Sequence, residues 1–308
     1  MSDHAPHLSV GLVLSGGAAR GLVHIGVLSV LTEYGVGIDF IVGASFGSLV
    51  AAYFASGYSP EEMLDYAREF RLWPLRDFRP PWTGFFSGER VQRLFERGLG
   101  NRGIEDLSIP VIILAADLER EEPVLLERGS LPVALRASSA FPGLFAPVRV
   151  EGRLLTDGGI VDSVAVGVAR KKGAGFVLSC DVSVLSEIYT HHLQSMLLKK
   201  AGERASRKGT IERKDSLRAV LRSTLRIIHR YRPGGRGSLE IGTGNGAGAN
   251  DIADANDIAD VEITPLGGEI RPLCFKKAEE GYRIGRTAAM RVIDTIVRKT
   301  GGHTDCAG

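Results

Sequence analysis

An apolar run, Asp39-Phe40-Ile41-Val42-Gly43-Ala44, leads into Ser45-Phe46-Gly47 and then directly into Ser48-Leu49-Val50-Ala51-Ala52. A buried-type strand that becomes a helix within three residues leaves few folds open, because strand and helix must pack back to back through the turn. The Gly-x-Ser-x-Gly spacing meets that demand. Gly43 and Gly47 stand two residues either side of the serine, where neighbouring backbone passes too close for side chains. The turn lifts Ser45 clear of the backbone and sets it at a helix N-terminus, where unpaired N–H groups favour developing negative charge. Ser45 is therefore a candidate nucleophile.

The rest of the chain alternates strand and helix. Ser9 to Ser15 reads as an apolar strand, followed by a glycine-rich turn and a helix from Gly21 to Tyr34. Ser59-Pro60-Glu61-Glu62 supplies an N-cap, a proline at the first helical position and a capping-box glutamate, starting a helix that runs to about Arg71. Leu72 to Gly88, rich in aromatics and proline, reads as a folded loop. Ile109 to Asp117 and Gly175 to Asp181 are buried-type strands, with a helix near Ser130 to Ala140 between them. Val261 to Thr264 is a late strand, and Lys276 to Arg298 a closing helix. Strands this apolar, separated by helices, predict an α/β fold with a mainly parallel central sheet covered on both faces. The expected organisation is a core over 8–182, a basic helical segment and glycine-rich loop over 183–260, and a strand and helix over 261–300 that pack back on the core.

Several classes of function are excluded. The three cysteines, Cys180, Cys274 and Cys306, form no Cys-x-x-Cys and no metal-like spacing, which suits a reducing cytoplasm; no metal and no cofactor are expected. Met1 to His7 has no basic segment leading into an apolar one, and no apolar run approaches the roughly 18 residues of a membrane span. A cytoplasmic protein is expected, at most peripheral to the inner face of a membrane. The seven histidines offer little to a catalytic triad. His4, His7 and His303 lie near the termini, His191, His192 and His229 in a polar region, and His24 on the first helix, where an isolated histidine is usually a packed core residue.

Two further motifs carry chemistry. Ser15-Gly16-Gly17-Ala18-Ala19-Arg20-Gly21 joins the first strand to its helix, and small residues there aim backbone N–H groups at one spot, as an oxyanion site needs. A dinucleotide-binding loop is the rival reading, but its Gly-x-Gly-x-x-Gly register needs glycine where Ala18 stands, and Asp39 opens a strand instead of ending one. Leu154-Leu155-Thr156-Asp157-Gly158-Gly159-Ile160 places an acid at a strand end before two glycines. Alone, Asp-Gly is an ordinary turn.

Together and in this order, the three motifs make the chain resemble the patatin-like phospholipase family, and most nearly its bacterial branch. The likeness runs from about Val10 to Val182 and includes Ala137-Ser138-Ser139-Ala140-Phe141-Pro142-Gly143 ahead of the aspartate. The resemblance implies a three-layer α/β/α architecture and a serine acyl hydrolase acting on phospholipid or lysophospholipid esters. It implies Ser45 as nucleophile and Asp157, followed by Gly158 and Gly159, as general base. It also implies an oxyanion hole from the amides around Gly16, Gly17 and Ala18, with Arg20 holding that loop. An aspartate is a weak base unless its pKa is raised, so burial by Leu154, Leu155 and Ile160 is expected to raise it. Ala18 stands where many relatives have a third glycine, and its methyl group is accommodated if φ stays negative. Asp162 and Ala165 stand where relatives often have Asn and Pro. An idle lipid-binding module, or an acyltransferase or thioesterase on the same scaffold, are the alternatives.

Charge is concentrated in one place. Over 199–236, 13 Lys and Arg face 3 Asp and Glu, leaving 25 against 33 elsewhere. Within it, Leu217, Leu221, Leu225 and Ile228 recur at helical spacing, with Arg218, Arg222, Arg226 and Arg230 one step round. Such a helix suits either an anionic membrane surface or packing of its leucine face on the core. No nucleic-acid-binding fold accompanies the charge. The following stretch holds seven glycines over 233–250 and then Ala-Asn-Asp-Ile-Ala-Asp twice, which reads as a flexible loop.

Overall fold

The computed structural model describes residues 8–70, 77, 84–162, 164–183, 217–231, 258–265, 270–271 and 274–302. The glycine-rich stretch, the first copy of the repeated hexapeptide, His191 and His192 lie outside the described residues.

Five strands form a parallel sheet in the order β10-β9-β1-β2-β4, with β1 Val10–Leu14, β2 Phe40–Ala44, β4 Val111–Asp117, β9 Phe176–Cys180 and β10 Val261–Ile263. Their side chains alternate between two cores, as the period of two in a strand requires. Val10, Leu12, Leu14, Ile41, Val111 and Ile113 face one core, while Val13, Val42, Ala44, Ile112 and Leu114 face the other. The first core is closed by helices α1 Leu22–Glu33, α2 Phe46–Ala55, α3 Pro60–Glu69 and α4 Glu89–Leu99, and by the C-terminal pair described below. The second is closed by α6 Val166–Lys171. Helix α3 starts on the capping box read from the sequence, with the Ser59 hydroxyl accepting from Glu62 N and the Glu62 carboxylate from Ser59 N. Asp39 accepts a 2.7 Å bond from Val10 N, which ties the start of β2 to β1.

The sheet is less uniformly parallel than expected. Two strands that the sequence reading did not resolve, β5 Glu122–Leu126 and β7 Val148–Val150, and the strand it ended at Asp157, β8 Arg153–Asp157, join it antiparallel. Their registers fix an important adjacency. Strand β5 pairs Ile113 to Asp117 of β4 and so occupies one edge of it, which forces β2 and β8 onto the other edge. There β2 pairs as far as Leu114 opposite Ala44, and β8 takes over from Ala115, opposite Asp157. The two strands meet end to end along one edge. A short parallel ladder, β3 Gly84–Phe86 with β6 Gly143–Phe145, lies apart from the main sheet. The helix α5 Leu131–Ser138 follows β5.

The expected closing helix is two: α8 Ala278–Met290 and α9 Ile293–Thr300, interrupted at Arg291 and Val292. The basic segment contains α7 Leu217–Tyr231. Its buried face is Val220, Leu221, Thr224 and Ile227, whereas Leu225 is 40% exposed. The leucine stripe expected to face the core is thus rotated by about one position, and the side chains of Leu217 and Ile228 lie outside the described residues.

Helix α8 crosses α1 with backbones in contact. A β-carbon on Gly26 would lie 1.9 Å from the Tyr282 carbonyl oxygen, and one on Gly285 would lie 2.0 Å from that of Val23. Arg286 adds a bond to Ser29 Oγ at 2.6 Å and an ion pair with Glu33 at 2.7 Å. Gly26→Ala is therefore expected to destabilise the fold by about 1–3 kcal/mol, since neither backbone can yield cheaply. Gly37→Ala, where nothing lies within 4 Å, is the control and should melt like the parent in thermal denaturation.

Candidate active site

The end-to-end meeting of β2 and β8 places Ser45 and Asp157 in contact. Ser45 follows β2 and has φ 50° and ψ −122°, a strained conformation for a residue with a β-carbon. Its Oγ donates to Asp157 Oδ2 at 2.7 Å. Gly47 permits the turn, because a β-carbon there would lie 2.2 Å from the Leu14 carbonyl oxygen. Gly43 sits in the same way against Ser48.

Asp157 is 5% exposed, while Ser45 is half-buried. The second carboxylate oxygen accepts from Gly159 N at 2.8 Å, so both oxygens are engaged. Gly158 lets the chain turn against β4, where a β-carbon would come within 2.2 Å of the Leu114 carbonyl oxygen. Burial raises the Asp157 carboxyl from its usual 3.8 to about 6, against the opposing effect of the Ser45 and Gly159 hydrogen bonds. Leu154, Leu155 and Ile160 are all buried, as expected of the residues that keep water from it.

The glycine loop reaches the same point from β1. A β-carbon on Gly16 would stand 3.3 Å from Ser45 Cβ and 3.8 Å from Gly159 Cα, so Gly16 lies between the two other motifs. The amides of Gly17 and Ala18 have no backbone partner among the described residues, whereas Ser15 N donates to Cys180 O and Arg20 N to Gly17 O. Gly17 packs against Val182, and Arg20 is buried with Nε donating to Ile270 O at 3.2 Å. Ala18 does not keep the negative φ expected of it. Its φ is 49°, the left-handed region in which a third glycine would be unstrained.

Three residues outside the sequence-derived set support this arrangement. Ser138, fully buried at the end of α5, accepts from Ser45 N at 2.9 Å and donates to Leu114 O at 2.7 Å. It thereby fixes the serine's backbone and engages its amide. Ser48 Oγ donates to Ser45 O at 2.6 Å. Arg136, two residues before the end of α5, donates to Gly88 O at 3.0 Å and Ala146 O at 2.7 Å and stacks over Phe145, tying the β3–β6 ladder to α5. Only the position of Ser138 within the motif before Asp157 hinted at such a role.

His24 is fully buried, and burial pushes its pKa down to about 4. Its Nε2 lies 2.9 Å from Ser15 O, an acceptor, so a neutral ring donates to the start of the glycine loop. It does not touch the Ser45–Asp157 pair. The side chain of His229 lies outside the described residues.

A family model described as patatin-like phospholipase matches residues 12–170, which include the glycine loop, the serine turn, Ser138 and Asp157. The chain belongs to that family. An uncharacterized NTE family protein of Mycobacterium bovis is 39% identical over 176 residues, covering 56% of this chain and 30% of that protein. Lysophospholipase NTE1 of Scheffersomyces stipitis is 32% identical over 180 residues, covering 56% of this chain and 12% of that protein. The match thus spans less than a third of the length of either relative. Crystalline VipD from Legionella pneumophila shares the fold, with a TM-score of 0.51 at 14% identity over 94% of this chain and 67% of that one.

A carboxyl that ionises only near pH 6 when folded, but near 4 when unfolded, stabilises the native state below about pH 4 and loses that contribution as pH rises through 6. Replacing it with a neutral isostere removes the titration. Between pH 4 and pH 7 the unfolding free energy of Asp157→Asn, measured by urea denaturation, should gain on that of the parent by about 2 kcal/mol.

Proposed function

We propose that this chain is a serine acyl hydrolase that cleaves fatty-acyl esters of phospholipids or lysophospholipids through a Ser45–Asp157 dyad. The observation that carries the reading is the 2.7 Å bond from Ser45 Oγ to Asp157 Oδ2, made by a half-buried serine to a desolvated carboxylate. Membership of the patatin-like phospholipase family and the likeness to a lysophospholipase support it.

The chemistry follows from these positions. Ser45 Oγ attacks the ester carbonyl carbon as its proton passes to Asp157 Oδ2, and the carbonyl oxygen becomes an oxyanion. The amides of Gly17 and Ala18 are the donors proposed to hold it. Collapse breaks the bond to the alcohol, which leaves with the proton from Asp157. Water then attacks the acyl-serine, giving its proton to the same carboxylate, and release of the fatty acid returns that proton to Ser45. A pKa near 6 makes Asp157 a stronger base than an exposed aspartate while keeping it ionised at neutral pH.

We further propose that α7 meets an anionic lipid surface through Arg218, Arg222, Arg226 and Arg230. Arg222 and Arg226 are exposed, Arg226 with an ion pair to Glu121; the side chains of Arg218 and Arg230 lie outside the described residues. Val220 and Ile227 pack with Ile160 and Val161, which sets this helix beside the turn that follows Asp157. No helix among the described residues is long and apolar enough to cross a membrane. The proposed mode is a peripheral contact on the cytoplasmic side.

Ser45 should react with a fluorophosphonate probe, and Ser45→Ala should abolish both labelling and release of p-nitrophenol from soluble esters. Asp157→Asn should lower kcat by about 10²–10⁴-fold. The parent's kcat/KM should rise with pH through an apparent pKa near 6. Labelling absent from the folded parent would favour an idle lipid-binding module.

Flotation with liposomes tests the surface. Binding should require anionic lipid and fall in the Arg222→Glu/Arg226→Glu double variant, whereas equal partitioning onto zwitterionic vesicles would count against it.

A further inference from the structure

A cavity of about 490 Å³ opens between α1, α2, α3 and α4, walled by Leu22, Ile25, Leu49, Met63, Leu94 and Phe95 among others. Two of its lining residues locate it relative to Ser45. Phe46 is the residue after the serine, and Leu22 is the first residue of α1 after the glycine loop. The Phe46 ring lies on Gly21, where a β-carbon would come within 2.3 Å of it. One end of the cavity therefore starts at the seam between the serine turn and the glycine loop.

The other end is aromatic. Tyr53, two turns along α2, and Tyr66 of α3 line it, with ring centroids 5.8 Å apart, and Tyr58 packs on both. The Tyr53 hydroxyl rests on Gly98, where a β-carbon would lie 2.2 Å away, and Tyr58 OH donates to Gly98 O at 2.7 Å. Protein interiors rarely leave voids larger than a water molecule, whereas ligand pockets run from about 300 to 1,000 Å³. A mainly apolar space of this size that begins beside a nucleophile is shaped for a hydrocarbon chain. Glu69 and Arg97 are the charged residues among those lining it.

We infer that this cavity holds the alkyl tail of the acyl group transferred to Ser45, methyl end toward Tyr53, and that Tyr53 and Leu49 set the acyl length the site accepts. The inference rests on the hydrolase reading. From Phe46 to Tyr53 is about 10 Å along α2 at 1.5 Å per residue. An extended chain with bonds of about 1.5 Å advances about 1.3 Å per carbon and covers that span in about eight carbons. Each methylene taken out of water up to that limit corresponds to about a fourfold gain in binding. Beyond it, added carbons pass Tyr53 toward Tyr66, which is 49% exposed, leave the apolar space and gain little.

The test compares p-nitrophenyl esters from acetate to palmitate. In the parent, kcat/KM should climb to about eight to ten carbons and then level. Leu49→Trp, which fills the channel one turn from Phe46, should lower the octanoate-to-acetate ratio of kcat/KM at least tenfold. Tyr53→Ala should move the plateau several carbons longer. Fluorescence titration of Ser45→Ala with a dansylated undecanoic acid reads the cavity without catalysis, and adding Leu49→Trp should weaken that binding at least tenfold. If acetate is hydrolysed but the parent and both variants share one chain-length profile, the cavity assignment is overturned. If no ester is cleaved while the dansyl acid binds and Leu49→Trp displaces it, the cavity stands and the hydrolase reading fails.

Discussion

One edge of β4 carries two strands in succession, and the site depends on that succession. Strand β2 holds the edge up to Leu114 and β8 holds it from Ala115, so residues 112 positions apart in sequence are brought nose to nose. Because β5 occupies the opposite edge over the same span, neither strand can slip past the other. Backbone pairing thus fixes the Ser45–Asp157 separation before any side-chain preference acts, which is a more rigid means of alignment than a loop could supply.

The same junction concentrates unfavourable energy. Ser45 and Ala18 both take positive φ without being glycine, and Asp157 is an acid deprived of water. Conformations of the first kind cost about 1–3 kcal/mol each. They persist because the surroundings over-determine them. Ser138 and Ser48 bond the serine's amide and carbonyl, His24 bonds the carbonyl that opens the glycine loop, and Arg20 anchors that loop's far end. Each of these groups is buried, and each acts on backbone close to the Ser45 and Asp157 side chains.

Much of this was legible in the sequence, for physical reasons that differ by element. Four of the five parallel strands, β1, β2, β4 and β9, are buried on both faces and read as nearly continuous apolar runs; the serine turn and the Ser59 capping box are local rules satisfied within a few residues. The antiparallel strands β5 and β7 are short and only partly buried, so their composition resembles loop. Helix α7 was placed correctly, yet its buried face was not, since Thr224 turns inward by satisfying its own hydroxyl on Val220 O and Leu225 is left outside. Ser138 gives no periodic signal. Its importance comes from where α5 ends relative to β4, which only tertiary structure fixes. Ala18 shows the limit of substitution logic, because the conformation a glycine leaves vacant can be taken up by alanine under duress.

The packing of α7 separates two contributions to one carboxylate. Strand β8 sets where Asp157 stands, but part of what keeps solvent from the turn after it comes from Val220 and Ile227, on a helix some sixty residues further along the chain. Geometry and dielectric are thus inherited from different parts of the polypeptide. A change confined to α7 can alter how strongly the carboxylate holds its proton while leaving every distance around Ser45 intact, so the acid–base character of this pair can be tuned independently of its alignment.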